Sequence, residues 1–272
     1  QNVPRLVSEL SAESSPERTE YLMGQEPQWI DLQTGRAIER ESDSKLLETA
    51  KAMLDGSLAS KPLIVTGTAG SGKSTSLMRL ALQLTADGVP CYWVDEQSNF
   101  QVSGPSRLVG ETAGPIAILV DDADLWGRSV TGWAQELPKM REGVLFGCAV
   151  RSTKIEGLVD KGTLGGIETF EVAMPPLSDI DIESLISVLD GENRLGILKG
   201  KSHIERVEAF RREAGRQLLV AMIQATSGKR FEEKALEEFT ELSPLPRQLY
   251  AIICFVSSQR HMLDREDVLL AC

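Results

Sequence analysis

Gly67-Thr68-Ala69-Gly70-Ser71-Gly72-Lys73-Ser74-Thr75 fits the pattern G-x-x-x-x-G-K-[ST] at every position. Just before it, Leu63-Ile64-Val65-Thr66 is a short apolar run of strand type. Just after it, Leu77-Met78-Arg79-Leu80-Ala81-Leu82-Gln83-Leu84 reads as a helix. A loop between these two elements suits phosphate binding. Its glycines permit positive φ, so successive N–H groups can converge on a β-phosphate while the following helix presents its positive end. Lys73 supplies a point charge for the β- and γ-phosphates, and the Ser74 hydroxyl supplies a ligand for Mg²⁺.

Working outward, Pro115-Ile116-Ala117-Ile118-Leu119-Val120-Asp121-Asp122 is a continuous apolar run that ends in two carboxylates. Such a run is expected of a strand buried on both faces of a parallel sheet, and its end lies at the edge where ligands bind. Asp121 is expected to help hold Mg²⁺ and Asp122 to polarise the attacking water. The competing reading is a capped strand-to-helix turn, since Asp is a good N-cap. Two further strands are read at Pro90–Val94 and Gly143–Ser152. The second of them ends near Arg151, a cation that either senses a γ-phosphate or makes an ordinary salt bridge. With Glu168–Ala173 this makes five strands interleaved with helices, an α/β sheet of parallel P-loop type with right-handed crossovers.

Composition sets outer limits. The chain has 272 residues, 42 % hydrophobic and 25 % charged, as in a globular protein long enough for an α/β domain with a smaller partner. No apolar run approaches the roughly 18 residues of a membrane span, so a cytoplasmic protein without membrane partners is expected. Forty acidic residues against 29 basic ones give a net charge of −11, which argues against non-specific affinity for nucleic acid. The four cysteines have no metal-ligand spacing and read as free thiols of a reducing compartment.

The remaining chain divides as follows. Residues 1–26 carry many charges and read as a linker or the tail of an upstream domain, and 27–176 as the α/β domain. The stretch from Tyr21 to Leu32 is too apolar for a linker; it is either a docked arm or an arm that covers a nucleotide base. Beyond Pro176 the strand pattern stops, and 177–241 reads as a helical domain. Residues 242–272 read as the start of a winged-helix-like unit, cut off at an apolar pattern without a cap.

With "GTAGSGKST", "AILVDDAD", "YLMGQEPQWIDLQTGRAIERESD" and "AGRQLLVAMIQATSGKRFEE" in view, the chain resembles the nucleotide-binding core of STAND ATPases, signalling NTPases related to AAA+ proteins. It is most similar to bacterial antiphage-defence members in which such a core follows a sirtuin-like effector. The resemblance implies ATP rather than GTP, self-association through the core, and effector and sensor domains outside this chain. It implies that Met174-Pro175-Pro176-Leu177 is the hinge, placing Pro176 at the nucleotide, and that Gly215-Arg216-Gln217-Leu218 closes over it, with Arg216 either a phosphate sensor or a member of a structural ion pair. Gln217 stands where many relatives carry proline. The function so implied is an ATP-dependent switch with slow hydrolysis; the alternative is an AAA+ motor or loader acting on DNA or protein.

Overall fold

The computed structural model describes residues 3–14, 20–96, 98–155, 159–160, 163–164, 166–229 and 231–258. In chain order the first elements are β1 (Arg5–Leu6), α1 (Val7–Ala12), α2 (Trp29–Gln33), α3 (Glu41–Leu54), β2 (Leu63–Gly67) and α4 (Lys73–Ala86). They are followed by β3 (Cys91–Val94), α5 (Gly104–Glu111), β4 (Ile116–Val120), α6 (Arg128–Met140) and β5 (Val144–Arg151). Short strands β6 (Val159–Asp160), β7 (Thr163–Leu164) and β8 (Ile167–Glu168) form a small antiparallel sheet before β9 (Phe170–Ala173). Helices α7 (Asp179–Gly191), α8 (His203–Glu208), α9 (Leu218–Ser227), α10 (Phe231–Glu241) and α11 (Pro244–Ser258) complete the described chain.

The main sheet runs β1-β3-β4-β5-β2-β9 and has six strands, not five. The pairs among β3, β4, β5, β2 and β9 are all parallel, whereas β1 joins β3 antiparallel with Arg5 opposite Trp93. This sixth strand comes from the segment expected as a linker. Its charged surroundings hide it in the sequence, but β3 would otherwise leave a row of backbone groups unpaired at the sheet edge. The contact is anchored by Val7, which is fully buried, and farther along the same segment Tyr21 and Leu22 are buried too.

Period-two alternation sorts the sheet residues onto two faces. Leu63, Val65, Ala117, Leu119 and Leu145 point to one side, into a core shared with α3 and α4. Ile64, Ile116, Ile118, Val120 and Phe146 point to the other, against α5 and α6. The first core does not stop at residue 176: Leu177, Ile182, Leu185, Phe210, Leu218 and Met222 of the helical region belong to the same contiguous cluster. Burying each such side chain is worth about 1.5–3 kcal/mol, so the helical region is held on the sheet mainly by apolar packing. Of the winged-helix-like unit expected over 242–272, α11 is described; residues 259–272 lie outside the described residues.

Candidate nucleotide-binding site

Strand β2 ends at Gly67 and α4 begins at Lys73, so the intervening loop sits at the carboxyl edge of the sheet. Two of its glycines are required by conformation and by space. Gly70 has φ +69°, and a Cβ there would lie 2.5 Å from Leu219 Cβ; Gly72 has φ +93°. Both take the left-handed region that only glycine adopts without cost. Within the loop, Lys73 Nζ donates to Thr68 O at 2.8 Å, folding the buried side chain back along the loop. Burial pushes the Lys73 pKa down, with Arg151 adding to the effect and Asp122, Asp121 and Asp124 opposing it.

The acidic strand end meets this loop. Ser74 Oγ donates to Asp121 Oδ1 at 3.0 Å, although the two residues are 47 positions apart. Burial, with Asp122 alongside, raises the Asp121 pKa to about 6, while the Ser74 hydrogen bond pulls it down. A hydroxyl and a carboxylate side by side are hard oxygen donors of the kind Mg²⁺ takes from protein, one or two at a time, while keeping waters and phosphate oxygens. Ser74 and Asp121 therefore fit such an ion. Asp122 has φ +40°, uncommon for a residue with a side chain, which turns its carboxylate toward Arg151 at 3.8 Å. Asp124 is taken by Lys154 at 2.6 Å.

A cleft of about 210 Å³ joins these groups: Ala69, Gly70, Gly72, Lys73, Ser74, Thr75, Asp122 and Arg151 line it. Opposite them stand Tyr21, Gly24, Gln25, Glu26 and Pro27 from the N-terminal arm, and Leu218, Leu219 and Met222 from α9. The Tyr21 and Thr75 hydroxyls are hydrogen-bonded, pinning the arm to the first turn of α4. The arm thus divides: Tyr21 and Gly24 to Pro27 border the cleft, whereas Trp29 packs edge-on against Trp93 at 5.1 Å. A larger cleft of about 510 Å³, bordered by Ile223, Phe231, Phe239 and Tyr250, contains no residue of the phosphate loop and neither Asp121 nor Asp122, so volume does not mark the chemistry.

Two expected nucleotide contacts are not brought to the cleft. Pro176 is exposed and lies outside its lining. Arg216 sits at φ +60°, donates from Nη1 to Leu177 O at 2.9 Å and pairs through Nη2 with Asp179 at 2.8 Å, so its guanidinium is engaged within the helical region. The residues that do approach the loop from this region, Leu218 and Leu219, follow Arg216 by two and three positions. Sequence reasoning also missed Arg40. It is 4 % exposed and donates from Nη1 to Ser71 O at 2.8 Å, inside the phosphate loop. The only local sign of it is its place ahead of the Asp43 capping position of α3.

A family model described as novel STAND NTPase 5 matches residues 19–161. Among solved structures, the chain is similar to the Aeropyrum pernix Orc1 protein in complex with DNA, at 15 % identity and a TM-score of 0.45, covering 86 % of this chain and 77 % of that one. It is also similar to C. elegans PCH-2, at 16 % identity and a TM-score of 0.38, covering 61 % of this chain and 50 % of that one. No curated protein sequence matches. Among the described residues no helix is long and apolar enough to cross a membrane.

Proposed function

We propose that this chain, which belongs to the novel STAND NTPase 5 family and is a nucleotide-binding NTPase, binds Mg²⁺-ATP and hydrolyses it slowly to ADP and phosphate as a signalling switch. The observation that carries the reading is the 3.0 Å hydrogen bond from Ser74 to Asp121, which joins the phosphate loop to the acid of another strand. In this assignment the loop amides from Gly67 to Thr75 and Lys73 hold the phosphates. Ser74 and Asp121 hold the ion, which when bound neutralises charge on the β- and γ-phosphates. Asp122, at the cleft mouth, orients water, and Arg151 faces the γ-phosphate. Slow turnover follows because Arg151 is the sole arginine among the described residues lining the cleft and is shared with Asp122.

The residues bordering the cleft come from both the α/β part, 27–176, and the helical part, 177–241, with the N-terminal arm between them. Nucleotide bound there would bridge the parts, and ATP and ADP would favour different closures and different self-association. Output in antiviral defence, through effector and sensor domains outside this chain, belongs to this proposal and rests on the resemblance of the quoted motifs. The test is direct. Lys73→Ala should abolish ATP binding by calorimetry, and the unaltered chain should release phosphate to water. X-ray scattering should differ between the ATP and ADP forms, and superimposable profiles would refute the switch. An AAA+ motor or loader would instead turn over steadily and be stimulated by DNA or a protein substrate; the net charge of −11 does not by itself decide between them.

A further inference from the structure

The backs of the loop's peptides are held by groups from outside the loop. Arg40 is the hub: Nη1 donates to Ser71 O at 2.8 Å, Nη2 to Pro175 O at 2.7 Å, and Nε faces Asp181 Oδ2 at 3.3 Å. Those three acceptors belong to the phosphate loop, the connection after β9, and the first turn of α7. Arg40 itself is fixed from behind. Its backbone N–H donates to Asp43 Oδ2 at 3.0 Å, and Asp43 also accepts from Ser76 Oγ of α4 at 2.5 Å and pairs with Arg79 at 3.2 Å. Asp181 is 2 % exposed and closes the N-terminal cap of α7 by accepting from the Ser178 N–H.

A peptide unit is planar and trans, so its C=O and the following N–H point in opposite directions. Holding the Ser71 carbonyl outward on Arg40 therefore aims the Gly72 N–H inward, to the concave side where a phosphate oxygen would lie. The adjoining peptide is also held from the helical region: Leu219 N–H, in the first turn of α9, donates to Gly70 O at 3.3 Å, while the Ser71 N–H of that peptide donates to Thr68 O at 3.3 Å within the loop. The direction of the Gly72 amide and the placement of the Gly70–Ser71 peptide thus rest on carbonyl contacts made by Arg40, which is tied to α7, and by α9 itself.

We propose that Arg40 is a positioning residue of the phosphate loop: by tying Ser71 O to Pro175 O and Asp181, it makes the loop's affinity for phosphate groups depend on docking of the helical region. This rests on the nucleotide-binding reading above and adds the route by which closure would be felt by the loop. Three acceptors at these positions need a planar fork with several donors; a single ammonium cannot reach all of them.

The test uses calorimetry on the 272-residue chain, with Mg²⁺-ATP and inorganic tripolyphosphate as probes, below the unfolding midpoint of every variant. Losing one aligned amide donor to a charged oxygen should weaken binding by about tenfold to a hundredfold in Arg40→Lys. Asp181→Asn, which keeps the side-chain shape, should weaken both probes in the same direction by less, whereas Asp179→Asn, two residues away on α7, should leave them unchanged. A role in stability alone would lower the unfolding midpoint without moving these affinities. Affinities within about twofold of the unaltered chain in both Arg40→Lys and Asp181→Asn would overturn the proposal while leaving nucleotide binding intact. If Arg40→Lys does not fold, Asp181→Asn against Asp179→Asn decides. No ATP binding by the unaltered chain would remove the parent reading and this one together.

Discussion

Arg40 and Arg216 each pair with an aspartate on the first turn of α7, yet the two pairs do different work. Arg40 and Asp181 are 4 % and 2 % exposed, and the arginine reaches into the phosphate loop. Arg216 and Asp179 are 35 % and 57 % exposed, share the carboxylate with Arg211, and touch no loop residue. The Arg211 and Arg216 hydrogen bonds do hold the Asp179 carboxyl below its usual pKa, which shows that a shifted acid alone does not identify a site. The lesson is that function follows from what a charge orients after pairing. A buried pair fixes backbone direction because separating it is costly, whereas an exposed pair exchanges readily with water.

The two pairs should differ most when Arg40 is truncated. Arg40→Ala leaves Asp181 buried without its cation and should cost about 3–5 kcal/mol of unfolding free energy in denaturant titration. A loss as small as that of Arg216→Ala would erase the distinction between the pairs.

Next in size is the acid that meets the loop. Asp121 holds its proton up to a pH of about 6 in the folded chain against 3.8 as the ordinary value. The folded state therefore binds more protons than the unfolded one across that window. Stability without nucleotide should fall as pH rises from about 4 to about 6, by about 3 kcal/mol in all. Asp121→Asn should remove that slope, seen in melting curves across pH. In the presence of Mg²⁺-ATP, binding should strengthen over the same window, because a cation must displace that proton.

A smaller cost is expected where the helical region presses on the loop. Gly70→Ala must hold an alanine at φ +69° with its Cβ 2.5 Å from Leu219, a strain of about 1–3 kcal/mol read by thermal unfolding, with weakened ATP binding beside it. Smallest of all is Arg216→Ala, for which both the unfolding midpoint and the ATP affinity should stay at wild-type values. A large loss of ATP affinity there would return Arg216 to the role of phosphate sensor.

The legibility of these residues in the sequence follows their separation along the chain. The loop could be read because strand, turn and helix are contiguous and each has local chemistry: branched apolar residues, glycines at positive φ, then helix formers. Asp121 was readable because a strand buried on both faces must end somewhere, and its first acids fall at the sheet edge. Arg40 was not, since its acceptors Ser71, Pro175 and Asp181 lie 31, 135 and 141 residues away. Strand β1 was hidden for a related reason, as two residues beside charged neighbours become a strand only when β3 offers an open edge.

The amino-acid order by itself determined that a phosphate-type loop joins a buried strand to a helix and that an acidic strand end accompanies it, because steric and hydrogen-bonding needs of neighbouring residues decide such elements. Only the tertiary structure decided which side chains face that loop. It brought Leu218, Leu219 and the arm at Tyr21 to the cleft, turned Arg216 away, and wedged Arg40 behind Ser71. Those outcomes depend on how the apolar core closes between the sheet and the helical region, a sum over many distant contacts that no short stretch of sequence contains.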